Sequence, residues 1–146
     1  MSNDRKAESG EDGIRTNIAQ IAEAVNAMDL DRYGSLVTAD FVNMNQDLQG
    51  RLSSTVGRQA RLDVLRTFFE HSPYRTTVTM LPSEVHVHGA RGFARVDGTA
   101  KLTPKEPGEL SGYGLKLDIY LFFHNVEGCG WQSERSMGIE KARTDE

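Results

Sequence analysis

The sequence predicts an α+β domain with its helices first and its long strands last. In the first half, apolar residues recur every three or four positions, as on one face of an amphipathic helix. In the second half, apolar and polar residues alternate over four long segments that glycine-containing turns separate, which is typical of antiparallel strands. A chain of 146 residues has room for one hydrophobic core. We therefore expect helices packed on one face of a curved sheet.

Composition and charge exclude several classes of protein. The net charge of -4 at pH 7 argues against nucleic acid as the main partner, because that affinity comes largely from lysine and arginine. No apolar run approaches the ~20 residues of a membrane-spanning helix, and the first residues lack the apolar segment of a secretory signal. The single cysteine, Cys129, cannot form an internal disulfide. We expect a cytoplasmic protein that binds neither nucleic acid nor membrane.

The ends of the chain are poor in apolar residues. We expect disordered tails at residues 1–12 and 143–146, because such segments cannot bury a core face. Residues 13–142 then form a single domain. Its first helix begins near Asp12, and one apolar stripe runs along it: Ile14, Ile18, Ile21, Ala22, Val25 and Met28.

A second helix and a first strand follow. Asp29 is the expected N-cap of a short helix with Leu30, Tyr33, Leu36 and Val37 on one face. Residues 41–48 alternate as a strand, and residues 49–55 are rich in turn formers. A third helix runs from about residue 58 to residue 71, where Pro73 ends it. Its inward side chains are expected to be Leu62, Leu65, Phe68 and Phe69.

Four long strands complete the predicted domain, over residues 75–88, 91–103, 112–125 and 130–141. Pro82 indicates a bulge or an edge position in the first of them. In the third strand Leu121 and Phe123 face one way while Tyr120 and Phe122 face the other, so both faces require cover. Three helices cover one face only. The second face therefore predicts a homodimer interface.

Short segments of the chain also resemble a known superfamily. These segments are residues 24–31, 39–41, 56–58 and 127–131, and they resemble the nuclear transport factor 2-like superfamily in its SnoaL-like polyketide cyclase branch. The resemblance implies a cone-shaped sheet, also described as a cystatin-like roll, with three helices on its concave face around a deep apolar pocket. It further implies cofactor-independent acid–base chemistry on a small hydrophobic molecule: cyclisation, isomerisation, dehydration or epoxide hydrolysis.

One strand carries the residues expected to do that chemistry. Arg95 and Asp97 resemble the Arg-x-Asp segment of limonene-epoxide hydrolases, and residues two apart on a strand share a face. The resemblance makes Asp97 the base or water activator, with Arg95 orienting it. Asn45 matches the position of a water-positioning asparagine in the same enzymes. Tyr120 or Glu134 is then the expected proton donor.

The sequence departs from both related enzymes at important positions. Ser133 stands where the limonene-epoxide hydrolase pattern has a second aspartate, and a serine cannot replace that acid. Glu134 is one step further and would need a bulge to turn inward. The general base of ketosteroid isomerase falls at Asn45, which does not titrate. Tyr120 lies near the oxyanion-stabilising position of that enzyme.

Two interpretations of the site remain open at this point. Arg95 and Asp97 either line the pocket or form an ion pair in solvent, with Ala94 and Val96 on the core face. The second interpretation favours a non-catalytic ligand-binding or dimerisation module. No metal site is expected, since the His86/His88 strand lacks a third ligand at recognisable spacing, and no organic cofactor is expected, since the sequence has no glycine-rich phosphate loop. The expected substrate-binding residues are Tyr33, Asn43, Phe68, Phe69, Trp131 and Met137.

Overall fold

The computed structural model of the protein describes residues 2–145, with side chains from residue 10 onward. Within that range the chain forms three helices and a six-stranded sheet, so the predicted α+β class is confirmed. The elements in chain order are α1 (Ser2–Asn26), α2 (Leu30–Ser35), β1 (Val37–Gln46), β2 (Leu52–Val56), α3 (Arg58–His71), β3 (Tyr74–His88), β4 (Arg91–Pro104), β5 (Tyr113–Val126) and β6 (Gly130–Asp145). None of the helices in this range is long and apolar enough to cross a membrane.

The sheet is mixed, with strand order β2-β1-β6-β5-β4-β3. β1 and β6 pair in parallel, and every other neighbouring pair is antiparallel. The pairing of β3 with β4 shifts register between Pro82 and Glu84, and β3 lies at an edge of the sheet. Both features predicted from Pro82 are therefore present, because a residue without an N–H is tolerated at bulges and edges.

The two faces of the sheet differ in what covers them. Ala94 and Val96 of β4 are fully buried, and they pack with Ile14 and Ile18 of α1 in one core cluster that also contains Phe123. We call this helix-covered side the inner face and the opposite side the outer face. Directly paired residues of neighbouring strands share a face. The strand registers therefore assign every paired residue of the sheet to one side or the other.

A second core cluster joins α2 and α3 to β1. It contains Tyr33, Phe41 and Leu65, with Phe69 packed against it. Phe68, predicted to point inward, is instead 40% exposed. The buried face of α3 is centred on Leu65 and Phe69, and Phe68, 100° around the helix from Phe69, lies at its margin.

The loop after Met28 is organised as predicted. Asp29 is the N-cap of α2, and its Oδ1 accepts a hydrogen bond from the backbone N–H of Arg32 at 3.0 Å. Met28 has a φ of 53°, in the left-handed region that favours glycine. The same end of α1 is tied to the sheet, because the side chain of Asn26 exchanges two hydrogen bonds with the backbone of Val78.

The segment predicted to be turn-rich contains a strand. β2 pairs antiparallel with β1, with Val56 opposite Val42 and Thr55 opposite Asn43. Only the residues between the two strands form a turn, and there Asp47 accepts hydrogen bonds from the backbone N–H groups of Gln49 and Arg51. These backbone donors, with that of Arg51 contributing most, lower the pKa of the Asp47 carboxyl. Composition missed β2 because its serines and threonines are also frequent turn residues.

Both ends of the described chain are more regular than composition predicts. The structure places residues 2–12 in α1 and residues 143–145 in β6. Gly10 lies against Val87 of β3, and β6 continues because Asp145 pairs with Tyr113. The guanidinium carbon of Arg143 lies 3.9 Å from the centre of the Tyr113 ring. Met1 and Glu146, which belong to the predicted tails, lie outside the described residues.

Candidate functional site

The Arg95/Asp97 pair lies on the outer face of the sheet. Both residues are exposed, and they alternate with the fully buried Ala94 and Val96. Asn45 lies on the inner face, since its partner on β6 is Gly138. The structure therefore does not bring Asp97 and Asn45 together in one pocket. The reason is register: a slip of one residue that turned Asp97 inward would expose Val96.

Tyr120 and Met137 also lie on the outer face. Tyr120 of β5 is directly opposite Arg95 of β4 and Met137 of β6. Its ring stacks on that of Phe93, with 6.4 Å between the centroids. Met137 was expected to bind substrate in the helix-covered pocket, and the structure places it on the other side of the sheet. Neither residue contributes to the inner face.

The remaining expected substrate-binding residues are on the inner side but apart from one another. Asn43 is 4% exposed, and its Nδ2 has no hydrogen-bond partner. Tyr33 is buried, and its hydroxyl accepts a hydrogen bond from Arg61 Nε at 3.2 Å. Trp131 packs against the cluster around Ile14, and Phe69 against the second cluster. These side chains pack in separate parts of the core, and the structure does not bring them together around one pocket.

A small cavity of about 180 Å³ lies at one end of the inner face. Asn45, Ser53, Leu117, Gly138 and Glu140 are among the residues that line it. The volume is below the range of about 300–1,000 Å³ that is usual for ligand sites. The cavity is therefore small for the expected substrates, although it does contain Asn45.

Ser133 cannot act as the missing acid because it is enclosed in the core. It is 0% exposed, and its Oγ donates a hydrogen bond to Asn17 Oδ1 at 2.9 Å. Asn17 Nδ2 in turn donates to the backbone carbonyls of Leu36 at 3.0 Å and Trp131 at 3.1 Å. The two side chains link α1 to β6 and to the end of α2. Sequence reasoning missed Asn17 because it interrupts the apolar stripe of α1 without any motif of its own.

Glu134 is the one expected catalytic residue that lies beside another titratable group in a large cavity. The β5–β6 register passes from the Phe122–Arg135 pair to the Phe123–Ser133 pair, so Glu134 is the extra residue of a bulge. The bulge turns its carboxylate to the outer side. There Arg91 Nη1 donates hydrogen bonds to both carboxylate oxygens, at 2.9 and 3.2 Å.

His124 lies next to this carboxylate. Its Nδ1 is 4.0 Å from Glu134 Oε2, and the two side chains are 34% and 21% exposed. Such half-buried neighbours interact more strongly than the exposed pair His86 and Glu84, which are 3.8 Å apart and 69% and 55% exposed. An imidazole beside a carboxylate is a common arrangement for moving a proton.

We call the space around these groups the Glu134 cavity. It encloses about 760 Å³, within the usual size range for sites that bind small molecules. It is lined by Thr38, Ala39, Asp40, Val42, Arg58, Arg91, Phe122, His124, Val126, Cys129, Gln132, Glu134 and Arg135. Apolar, acidic and basic groups therefore all face one space.

The cavity exists because β1 leaves its neighbour near its start. β1 pairs with β6 at Val37 and again at Val42, opposite Ser133 and Arg135. Four residues of β1 thus face a single residue of β6, which is Glu134. We call residues 38–41 the arch of β1. Arg58, at the start of α3, supports the arch by donating to the Val37 carbonyl, with 2.9 Å between Nη2 and the carbonyl oxygen.

Comparison with solved structures identifies the architecture. A nuclear transport factor 2-like superfamily protein from Salmonella enterica is 12% identical, with a TM-score of 0.73 over 93% of this chain and 94% of that one. The chain has the nuclear transport factor 2-like fold. A ketosteroid isomerase-like protein from Erwinia carotovora is 17% identical, with a TM-score of 0.69 over 88% of this chain and 94% of that chain. The hexachlorocyclohexane dehydrochlorinase LinA-type3 from Novosphingobium barchaimii is 12% identical, with a TM-score of 0.77 over 100% and 94%. No family model and no curated protein matches the chain.

Sequence reasoning located only part of the candidate site. It named Glu134 as a possible proton donor. It missed Arg91, which is 43 positions before its partner Glu134 and carries no local signal of that contact. Among the described residues, no group of three histidine, cysteine, aspartate or glutamate side chains is placed to hold a metal ion.

Proposed function

We propose that the protein is a cofactor-independent acid–base enzyme that acts on a small, largely apolar molecule bound in the Glu134 cavity. The observation that carries the proposal is the His124 imidazole beside the Glu134 carboxylate in a space of ligand size. The role first expected for Asp97 passes to His124, because Asp97 lies outside this cavity. Glu134 keeps a place in the mechanism, as a partner of the imidazole.

The roles follow from which atoms are already engaged. Arg91 orients the Glu134 carboxylate, and the carboxylate faces His124 Nδ1. Nε2 of the neutral imidazole is then the atom that takes a proton from a substrate carbon next to a carbonyl. Glu134 stabilises the imidazolium that forms. The same nitrogen returns the proton to another atom of the substrate, so an isomerisation balances without any further reactant.

The structural neighbours support this proposal only through their fold. Two of them are named as an isomerase-like protein and a dehydrochlorinase, at 17% and 12% identity. A shared fold at this identity does not transfer a reaction, because one scaffold carries many functions. Cyclisation, dehydration and epoxide opening therefore remain within the proposal as alternatives to isomerisation. The groups in the cavity, and not the fold, distinguish among these reactions.

Proton abstraction can be tested before the substrate is known. A panel of small cyclic ketones in D₂O, followed by NMR, reports hydrogen exchange at carbons next to the carbonyl. We expect the wild-type protein to accelerate exchange for some members of the panel and His124→Gln to abolish that acceleration. His86→Gln is the matched control, since His86 also lies beside a glutamate but outside the Glu134 cavity. Equal exchange by wild type and His124→Gln would contradict the proposal.

One observation favours a second function, that of a non-catalytic ligand-binding module. The 4.0 Å between His124 and Glu134 is longer than a hydrogen bond, so the pair is not preassembled. Catalytic contacts often tighten only when substrate is bound. The binding module would be established instead if a ligand binds in the cavity and the protein accelerates proton exchange in no member of the panel.

We further propose that the protein forms a homodimer through its outer sheet face. Met44, Met137, Tyr120 and Phe93 are neighbours there across four strands, and Met44 is 40% exposed. A stable interface buries about 800 Å² of each partner. Phe93 of this group also contacts Phe122, which lines the Glu134 cavity. A second copy bound here would therefore also narrow access to the cavity.

Light scattering after size exclusion tests the dimer. We expect the wild-type protein to elute at twice the chain mass of 16.2 kDa and Met44→Lys to elute as a monomer. A lysine placed in an apolar interface loses its hydration without gaining a partner. The control is Val64→Lys, because Val64 is 47% exposed on α3, which packs on the helix-covered side of the sheet. A monomeric wild-type protein at high concentration would overturn the proposal.

A further inference from the structure

We infer that the Glu134 cavity selects an organic anion, a molecule with a carboxylate at one end and an apolar body at the other. The inference deepens the proposed function, because it names the substrate class of the same cavity. The charged side chains that line the cavity, and the hydrogen bonds that some of them already make, carry the inference.

The cavity is positive although the protein is acidic. Three guanidinium groups line it, from Arg58, Arg91 and Arg135, against two carboxylates, from Asp40 and Glu134. With histidine neutral this leaves one net positive charge, whereas the whole chain carries -4. A positive concave surface on an acidic protein concentrates anions locally and favours their entry.

The three arginines differ in how their donors are used. Arg91 donates to Glu134, and Arg58 donates to the Val37 carbonyl through Nε and Nη2. Arg135 is exposed on the outer face and makes no salt bridge within the described residues. A planar guanidinium presents two parallel N–H groups that match a carboxylate. Arg135 is therefore the residue placed to bind the anionic group, with the Arg58 charge adding to the attraction.

The rest of the wall fits an apolar body. Phe122 is 43% exposed, and it lines the cavity together with Val42 and Val126. Phe122 and Arg135 are direct partners in the β5–β6 ladder, so their side chains leave the sheet side by side. A ligand with a carboxylate on Arg135 can lay a ring or an alkyl chain on Phe122. Its reacting carbons then lie in the same cavity as His124.

Titration calorimetry with three probes of the same body tests the anionic end. The probes are benzoate, benzyl alcohol and phenyl phosphate. We expect benzoate to bind at least tenfold more tightly than the neutral alcohol, and its affinity to fall with added salt. Arg135→Gln should weaken benzoate at least tenfold, and Arg75→Gln should leave it unchanged. Arg75 is exposed on β3 and lies outside the cavity.

Cys129 reports where the probe binds. It is the single cysteine of the chain, exposed and in the cavity lining. Bound benzoate should slow its alkylation by iodoacetamide, and Arg135→Gln should remove that protection. Benzoate that binds without protecting Cys129 would overturn the inference, because binding would then lie elsewhere.

Two further outcomes also contradict the inference. Benzyl alcohol binding as tightly as benzoate would show that no anion is selected, and a tenfold preference for phenyl phosphate would change the class to phosphate esters. Either result leaves the acid–base proposal standing if proton exchange still depends on His124. Conversely, selective benzoate binding with no His124-dependent exchange would support the anion site and reject the enzyme. The two proposals therefore fail separately.

Discussion

Replacing Glu134 with glutamine is expected to lower turnover by roughly 10²–10⁴-fold, the range of a general acid–base contribution. Glutamine keeps the size of the side chain and can still accept one hydrogen bond from Arg91, but it carries no charge. The imidazolium that forms on His124 during proton transfer then loses its neighbouring anion, which is 4.0 Å away in the free protein. The measurement is the rate of substrate exchange or turnover at neutral pH.

The same substitution should have little effect on folding. Ion pairs near the surface contribute about 0–1 kcal/mol, so the urea midpoint of Glu134→Gln should stay close to that of the wild type. Glu84→Gln is the matched control, because Glu84 also lies beside a histidine and on the same sheet face, outside the cavity. If Glu84→Gln and Glu134→Gln lower turnover equally, the loss reflects surface charge and the assigned role of Glu134 is wrong.

Replacing Asn17 with alanine is expected to destabilise the fold by about 3 kcal/mol, since each buried polar group left without a partner costs about 1–3 kcal/mol. Asn17 is 2% exposed. Its side chain makes three hydrogen bonds, to the hydroxyl of Ser133 and to the carbonyls of Leu36 and Trp131. Alanine leaves the buried Ser133 hydroxyl without its acceptor and removes one donor from each carbonyl, of which that of Leu36 still accepts from the Ser133 N–H at 2.9 Å. Urea denaturation followed by the fluorescence of Trp131, the single tryptophan, measures the loss.

A double-mutant cycle separates the Asn17–Ser133 hydrogen bond from the rest. Ser133→Ala alone should cost about 1 kcal/mol, and the double variant should cost less than the two single losses together, because the partners share one bond. Asn125→Ala is the control, since Asn125 is exposed. Strict additivity would show that Ser133 and Asn17 stabilise the fold independently, contrary to the observed contact.

Periodicity was sufficient to predict most elements of the fold. The alternation of Ala94 and Val96 with polar neighbours specifies both a strand and the face that it buries, because a one-residue slip would expose the whole apolar set. Pro82 likewise predicted the bulge in β3, because a residue without an N–H group is tolerated at bulges. β2 and the last residues of β6 carry no such local signal, since they form by pairing with distant partners such as Val42 and Tyr113.

The site was less predictable than the fold. The resemblance to limonene-epoxide hydrolases predicted a catalytic Asp97, although its alternation with Ala94 and Val96 already favoured the outer face. Glu134 was named on condition of a bulge, and the bulge is present but turns it to the outer side. The contact of Arg91 with Glu134 arises because β4, β5 and β6 lie side by side in the sheet, and no spacing in the sequence predicts it.

The arch of β1 over Glu134 has a consequence for how this protein can change over evolutionary time. The four residues 38–41 of β1 lie opposite a single residue of β6, so they are not part of the regular ladder between these two strands. Ala39 and Asp40 are exposed there and line the cavity. Exchanging or inserting residues at these two positions would alter the cavity wall without moving either core cluster. The arch is therefore the part of the chain at which new ligand preferences can arise at little expense to folding.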